Sequence, residues 1–351
     1  MTEEHRMYEL EYPSPAVGEG APAGPALVIA MQGYADAGHA VEGAADHLKA
    51  ALESRTVATF NNDELIDYRS RRPVVTLNQH EISDIEDLEL DMRVLRDTAG
   101  TPFLLLSGPE PDLRWEAFSE AVGDLVERFD VSETICLYAA PMGTPHTRPL
   151  VVSAHGNDSE LVGSMFTFDG MVTIPGSASI LIERELHKRG RAVAGFTAHV
   201  PHYVASSPYP HAMLQLLRSV EDAAELTFPL RSLEQDMEKV SRQLAEQTAA
   251  SEEIAGVVQA LEQHYDAEME DYRKRNPQAM MPGEAQVPSG EEISEAFENF
   301  LAAIEDRDRP RQELPLDDDH WQRLGDHYLI DPATDADAGE TADPEDPNDD
   351  E

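Results

Sequence analysis

The chain has 351 residues, 41% of them hydrophobic, which is enough to bury the core of one large domain with an extension, or of two domains. Its 69 acidic and 26 basic residues give a formal net charge of −43, which excludes nucleic acids and anionic membranes as partners over most of the surface. The single cysteine, Cys136, the absence of an apolar leader and the absence of an apolar run near the roughly 18 residues of a membrane helix predict a cytoplasmic protein without internal disulfides.

Short apolar runs that predict strands alternate with helical patterns between residues 26 and 200. The predicted strands are 26–31, 56–60, 74–77, 102–107, 134–138, 150–154 and 192–199. Apolar side chains at three- and four-residue spacing predict helices at 40–52, at 112–129 with Asp112 as the N-terminal cap, and from Ser177 or Ser179 to Gly190. The alternation predicts an α/β fold in which helices cover both faces of a mixed, mostly parallel central sheet.

The acidic segment 80–96 does not fit this alternation. Its apolar residues are spaced mostly by two or three positions, which favours β structure over helix. We interpret the segment as a hairpin or an excursion at the edge of the sheet.

The pattern changes to helix after Pro210. Residues 211–275 contain few strand formers, 276–290 are rich in proline and glycine, and a further helix is predicted at 291–306. Residues 331–351 contain ten acidic residues and no basic one, which predicts disorder. The chain is therefore predicted to have an N-terminal segment at 1–24, an α/β core at 25–220, a helical extension at 221–330 and an acidic tail at 331–351.

Polar residues gather where the predicted strands end. Ligands of open parallel sheets bind beyond the carboxyl ends of the strands, so we expect residues at these positions to surround a pocket. The candidates are Gly33, Asp36, His39, Met142, His146, Arg148, His155, His199 and His202.

The pattern leaves two roles open for most of these residues. Gly33 either brings backbone N–H groups to an anion or forms a tight turn. Asp36 is either a catalytic carboxylate or the cap of the following helix, and residue preference favours the cap. Arg148 would pair with an anionic group through its guanidinium fork. His39, His146 and His155 would be general bases or hydrogen-bonded loop residues.

Other features argue against several kinds of chemistry. His199 and His202 have the spacing of metal ligands, but Pro201 separates them and no further ligand supports them, so the sequence predicts no metal and no cofactor. Cys136 lies within an apolar run and is interpreted as a structural residue. Residues 170–179 either cradle an anion or simply connect two elements, and we favour the connection. Catalytic residues cannot be assigned from these patterns.

Several loop sequences resemble those of the proteasome assembly chaperone 2 family, in its actinobacterial-type branch. The matching segments occur in order over roughly residues 25–220: MQGYADAGHAVEGAADHL (31–48), FNNDELIDYRSRRP (60–73), LLLSGPEPDLRWEAF (104–118), YAAPMGTPHTRP (138–149), FDGMVTIPGSASILIERELHKRG (168–190) and GFTAHVPHYVA (195–205). The resemblance implies a core similar to the phosphorylase/hydrolase fold, a helical C-terminal region that can lie over the pocket, and a homotrimeric ring. In such a ring the segment 80–96 could serve as an interface.

The same resemblance implies a chaperone-like binding or assembly protein, with proteins such as proteasome subunits as partners. The alternative is an enzyme or a binding protein for a small polar ligand, in which Arg148 holds the ligand, Asp36 or His39 acts as acid or base, and the C-terminal helices exclude water. Neither function involves nucleic acid or a membrane.

Overall fold

The computed structural model of the chain describes residues 7–13, 15, 17, 24–86, 88–163, 165–168, 170–277, 279 and 281–284. All of these lie within one compact unit, Met1–Gln286. The helix predicted at 291–306 and the acidic tail predicted at 331–351 lie outside the described residues.

A mixed sheet of eight strands forms the centre of the described part. The strands, in chain order, are β1 (Tyr8–Leu10), β2 (Leu27–Gln32), β3 (Ser54–Phe60), β4 (Val75–Asn78), β5 (Glu81–Ile85), β6 (Asp91–Arg96), β7 (Pro102–Pro109), β8 (Glu133–Met142), β9 (Val152–Gly156) and β10 (Ala192–Pro201). The spatial order is β1-β3-β6-β7-β2-β8-β10-β9, while β4 and β5 form a separate hairpin. Strands β7, β2, β8 and β10 run parallel, and antiparallel strands flank them on both sides. The predicted α/β fold with a mixed, centrally parallel sheet is confirmed.

Helices cover both faces of this sheet. In chain order the helices are α1 (Ala40–Ala51), α2 (Asn62–Leu65), α3 (Trp115–Arg128), α4 (Ser159–Val162), α5 (Ala178–Lys188), α6 (Pro210–Ala224), α7 (Arg231–Ala249) and α8 (Glu252–Arg275); α7 packs on α6, and α8 packs on α7. Helix α5 begins after Ser177, whose hydroxyl accepts the Ile180 N–H at 3.3 Å, so Ser177 rather than Ser179 is the cap. None of the described helices is long and apolar enough to cross a membrane.

The buried strand residues divide between two cores because successive side chains point to opposite faces. In β2, Val28 and Ala30 pack with α1 and α6 in the first core. Leu27 and Ile29 pack with α3 and α5 in the second core. Both sets of side chains are fully or almost fully buried, as expected for a parallel strand covered on both sides.

A third, smaller cluster attaches α8 to the core. It contains the buried residues Val151, Phe166, Tyr265, Tyr272 and Met281. The rings of Phe166 and Tyr272 stack with centroids 4.2 Å apart, and the Tyr265 hydroxyl donates to the Pro149 carbonyl at 2.8 Å. Helix α8 is therefore held by buried aromatic side chains.

Two details of the sequence interpretation were wrong. The interpretation of segment 80–96 as a hairpin or edge excursion holds for β5, which belongs to the exposed hairpin, and is wrong for β6, which is an internal strand between β3 and β7. Asp112 does not cap α3, which begins at Trp115 after Arg114 in the left-handed conformation. The Asp112 carboxylate instead accepts the Asp67 N–H at 2.9 Å and pairs with Arg71 at 3.3 Å.

Candidate functional site

The nine candidate residues do not lie at one end of the sheet. Strand β9 is antiparallel to β10, so His155 pairs with Gly195 near the start of β10. His199 and His202 lie at the opposite end of β10, near the exit of β8. His155 is thus separated from the other candidates.

The loop after β2 contacts a carboxylate that follows β7, that of Glu110. The side chain of Glu110 is buried, and its Oε1 accepts the Ala178 N–H at 2.7 Å at the start of α5. Its Oε2 accepts the Tyr34 N–H at 3.3 Å, and a Cβ atom at position 33 would collide with the same carboxylate. The absence of a side chain at Gly33 allows this close approach, and Glu110 occupies the helix terminus where an anion was considered.

Asp36 is bound to the first turn of α1. Its Oδ1 accepts the Val41 N–H at 2.7 Å and its Oδ2 accepts the Glu42 N–H at 3.2 Å. Burial raises the pKa of Asp36, while these two backbone bonds act in the opposite direction. His39 is exposed, has a φ of 47°, and lies with its Nδ1 3.3 Å from the Glu42 carboxylate. The Asp36 carboxylate thus caps the first turn of α1 through its side chain, although the N-cap position itself is His39.

Arg148 is also engaged within the chain. Its Nε and Nη2 donate to the two carboxylate oxygens of Asp266, each at 2.8 Å, and its Nη1 donates to Glu262 at 3.1 Å. These carboxylates on α8 raise the pKa of the guanidinium. The fork that was expected to hold a ligand anion joins α8 to the loop after β8.

His146 and His202 line a cavity of about 610 Å³ between the ends of β8 and β10 and the pair α7–α8. The Tyr203 hydroxyl accepts the His146 N–H at 2.8 Å and lies 2.7 Å from its Nδ1. Burial lowers the pKa of His146, which favours the neutral ring. Met142 ends β8 and is not part of this wall. The wall comprises His146, His202, Tyr203, Val204, Ser207, Pro208, Tyr209, Val240, Gln243, Leu244, Gln247, Thr248, Glu253, Ile254, Val257 and Val258.

His199 lies beneath the surface at the end of β10. Only 6% of it is exposed, its Nε2 lies 2.9 Å from the Ser153 hydroxyl, and its ring stacks on Phe168 with centroids 5.5 Å apart. Burial lowers the pKa of His199 to about 4, so the ring is neutral at pH 7. Its environment is that of a structural histidine.

His155, on β9, is exposed but contacts buried polar groups of β8 and α5. The Tyr138 hydroxyl donates to Glu183 Oε1 at 2.6 Å, and His155 Nε2 lies 3.0 Å from Glu183 Oε2. The bond to Glu183 raises the pKa of His155. Cys136 is fully buried beside this carboxylate, and burial raises the pKa of its thiol well above the usual value, which disfavours the reactive thiolate.

Two residues of these networks were missed by sequence reasoning. Glu110 and Glu183 are buried carboxylates, but each occurs in a segment that is also compatible with exposure. A glycine on the neighbouring element was the available signal, because Gly33 makes room for Glu110 and Gly195 makes room for Glu183 and His155. Among the described residues, no group of three or more His, Cys, Asp or Glu side chains could hold a metal ion.

Comparison with known proteins places the chain in a family. Residues 30–248, more than half of the chain, match the model of the PAC2 family. A structure of a protein of unknown function from Corynebacterium glutamicum is 58% identical, with a TM-score of 0.74, and the match covers 76% of this chain and 100% of that one. A protein of unknown function from Mycobacterium tuberculosis is 47% identical, with a TM-score of 0.72 and coverage of 76% and 92%.

The name of a more distant relative includes a function. A proteasome-assembly chaperone homologue from Mycobacterium tuberculosis is 28% identical, with a TM-score of 0.60, and the match covers 66% of this chain and 99% of that one. No curated protein matches the chain. The family suggested by the loop sequences is confirmed, and the chain belongs to the PAC2 family.

Proposed function

We propose that this chain is a chaperone-like assembly protein whose partners are other proteins, proteasome subunits among them. Similarity to a proteasome-assembly chaperone homologue supports this proposal. The candidate reactive groups also favour it, because Asp36, Arg148 and His199 each have a partner within the chain. The finer parts of the proposal are a cytoplasmic location and assembly into a homotrimer.

The observation that carries a protein-binding function is the exposed apolar face of the β4–β5 hairpin. Val75 pairs with Ile85 and Leu77 pairs with Ile82, so all four side chains share one face. Between 46% and 66% of each residue is exposed, and this set is called the hairpin face below. A contiguous exposed apolar surface is typical of protein-binding sites.

The hairpin face is proposed to contact a second copy of the chain in the trimer. Substituting Leu77 by lysine places a charge on this face, whereas Thr76→Lys places the same charge on the opposite face of the same strand. Both residues are exposed, so we expect both variants to fold. Light scattering after size-exclusion chromatography should give a trimer mass for the wild type and for Thr76→Lys, and a lower mass for Leu77→Lys.

Binding to purified proteasome subunits from the same organism tests the chaperone-like function itself. We expect stoichiometric capture by the wild type, and slower proteasome assembly when the chain is absent. Retention of the trimer with loss of capture in Leu77→Lys would assign the hairpin face to the partner instead. No capture together with unchanged assembly would refute the proposed function.

The alternative of a small polar ligand at the carboxyl ends of the strands stays a prediction. It relied on Arg148 as the anion-binding group, and that guanidinium is held by Asp266 and Glu262. A ligand would have to displace these carboxylates before Arg148 could bind it.

A further inference from the structure

The cavity between the core and the α7–α8 pair has the size of a small-molecule site. Its volume of about 610 Å³ falls within the range of roughly 300–1,000 Å³ that is typical of such sites. Residues of the loops after β8 and β10 form one wall, and residues of α7 and α8 form the other. A ligand in this cavity would contact both the loop wall and the helical wall.

Aliphatic side chains dominate the helical wall. Val240 and Leu244 come from α7, and Ile254, Val257 and Val258 come from α8. Ile254 is 46% exposed and Val257 is 50% exposed, so apolar surface at this wall is accessible. Covering that surface with an apolar ligand is favourable because it removes the surface from water.

The charges of the wall exclude one class of ligand. Among the described residues of the wall, none is lysine or arginine, the one carboxylate is Glu253, and the histidines are His146 and His202. Arg148, the cation expected near this site, is neutralised by Asp266 and Glu262. Burial lowers the pKa of His146, which disfavours the positively charged ring. An anion would lose its hydration here without gaining the compensating charge of a lysine or arginine.

We propose that this cavity binds an uncharged small molecule with an apolar body and discriminates against its anionic analogues. The exposed amides of Gln243 and Gln247 at the wall can bond to a polar group on such a molecule. This proposal goes beyond the assembly function because it requires no protein partner.

Two fluorescent probes that share one scaffold test the proposal. N-phenyl-1-naphthylamine is uncharged, and 8-anilino-1-naphthalenesulfonate is the same scaffold with an added sulfonate. Titration into the full-length chain should show one molecule of the neutral probe bound per chain. The sulfonate should bind about tenfold or more weakly, because it enters a site without a cation.

Cavity-filling substitution locates the probe. Leu244→Trp should weaken binding of the neutral probe about tenfold or more, because the larger side chain takes up the ligand's space. Leu113→Trp is the matched control, since Leu113 is 50% exposed and outside the wall. Val257→Lys places a cation at the half-exposed wall and should strengthen binding of the sulfonate. This result does not depend on Leu244→Trp being folded.

Several outcomes would overturn the proposal. They are equal binding of the two probes, unchanged binding in both Leu244→Trp and Val257→Lys, or no saturable binding of the neutral probe. If the neutral probe fails to bind the wild type and Leu244→Trp loses capture of proteasome subunits, the cavity accepts a segment of a partner protein instead. The assembly function would then stand and the small-molecule site would be refuted.

Discussion

At the scale of single residues, His199 is buried, whereas the side chain of His155 is 46% exposed and contacts a carboxylate. His199 is kept neutral by burial, and His155 is bound to the carboxylate of Glu183. These two histidines therefore respond to pH in opposite directions. Each response can be tested separately.

Acidification should destabilise the fold through His199. Its folded-state pKa of about 4 lies below its usual value of 6.5, so the unfolded chain binds the proton more readily. The stability is fully present above pH 6.5 and is lost as the pH falls towards 4, by as much as about 3 kcal/mol. Between pH 7 and pH 4.5, the free energy of unfolding measured in urea should fall less in His199→Gln than in the wild type. His187→Gln, at an exposed position, should behave as the wild type, and an equal loss in all three proteins would contradict the prediction.

The pKa of His155 should depend on Glu183. The bond to Glu183 raises the pKa of His155 above its usual value, so its stabilising contribution is present below the usual pKa and is lost as the pH rises through the raised value. In Glu183→Gln the Tyr138 hydroxyl keeps an acceptor but the negative charge is gone. NMR titration of the His155 ring should therefore give a lower pKa in this variant than in the wild type. An unchanged value would mean that Glu183 is not the cause of the shift.

Gly195 should not tolerate a side chain. A Cβ atom there would collide with both His155 and Glu183, so Gly195→Ala should destabilise the fold by about 1–3 kcal/mol. Gly256→Ala is the matched control, because a Cβ at this position in α8 meets no described atom within 4 Å. That change should stabilise the chain by about 0.5–1 kcal/mol through helix propensity. The midpoints of thermal unfolding of the two variants should shift in opposite directions from that of the wild type.

At the scale of elements, sequence periodicity identifies the type of an element better than its place in the fold. Segment 80–96 has a β pattern throughout, yet Ile82 and Ile85 are exposed whereas Met92 and Leu95 are fully buried. The same spacing serves both cases because burial depends on tertiary neighbours. The direction of β9 was equally hidden, since a short apolar run does not indicate whether it runs parallel or antiparallel.

Helix α8 should depend on its buried aromatic side chains more than on its half-exposed aliphatic ones. Tyr272 is 3% exposed, so Tyr272→Ala should cost about 3 kcal/mol or more in the free energy of opening α8. Hydrogen exchange should then accelerate in Glu252–Arg275 and remain slow in α3. Val257→Ala, at a half-exposed position in the same helix, should have little effect. Equal exchange rates in the two variants would show that the aromatic cluster does not hold α8.

At the scale of the whole molecule, the sequence predicted the fold and the family because both depend on patterns along much of the chain. Strand and helix alternation over about 175 residues predicts the layered sheet, and six separated segments carry the family resemblance. The arrangement of the candidate pocket residues was harder to predict from the sequence, because the residues that bind them come from distant elements. Asp266 lies on a helix 118 positions from Arg148, and the sequence around either residue does not indicate that the two form an ion pair.

The net charge of −43 should make stability depend on salt. Like charges repel most strongly in the compact state, and added salt screens them. The thermal midpoint should rise by several degrees between about 10 mM and about 0.5 M NaCl, over which the screening length falls from roughly 30 Å to below 8 Å. Sucrose at equal osmolality provides an uncharged control. A midpoint that is unchanged or falls with NaCl would mean that ion pairs outweigh repulsion.

The Glu110 carboxylate also competes with dissolved anions for the N-terminus of α5. Its carboxylate is a ligand tethered to the same chain, so its effective concentration at the start of α5 is on the order of millimolar or higher. Phosphate or a phosphorylated metabolite would have to outcompete this permanent occupant for the N–H groups of Tyr34 and Ala178. The exposed glycine-containing loop can therefore lie beside the N-terminus of α5 without binding phosphate, even in a phosphate-rich solution.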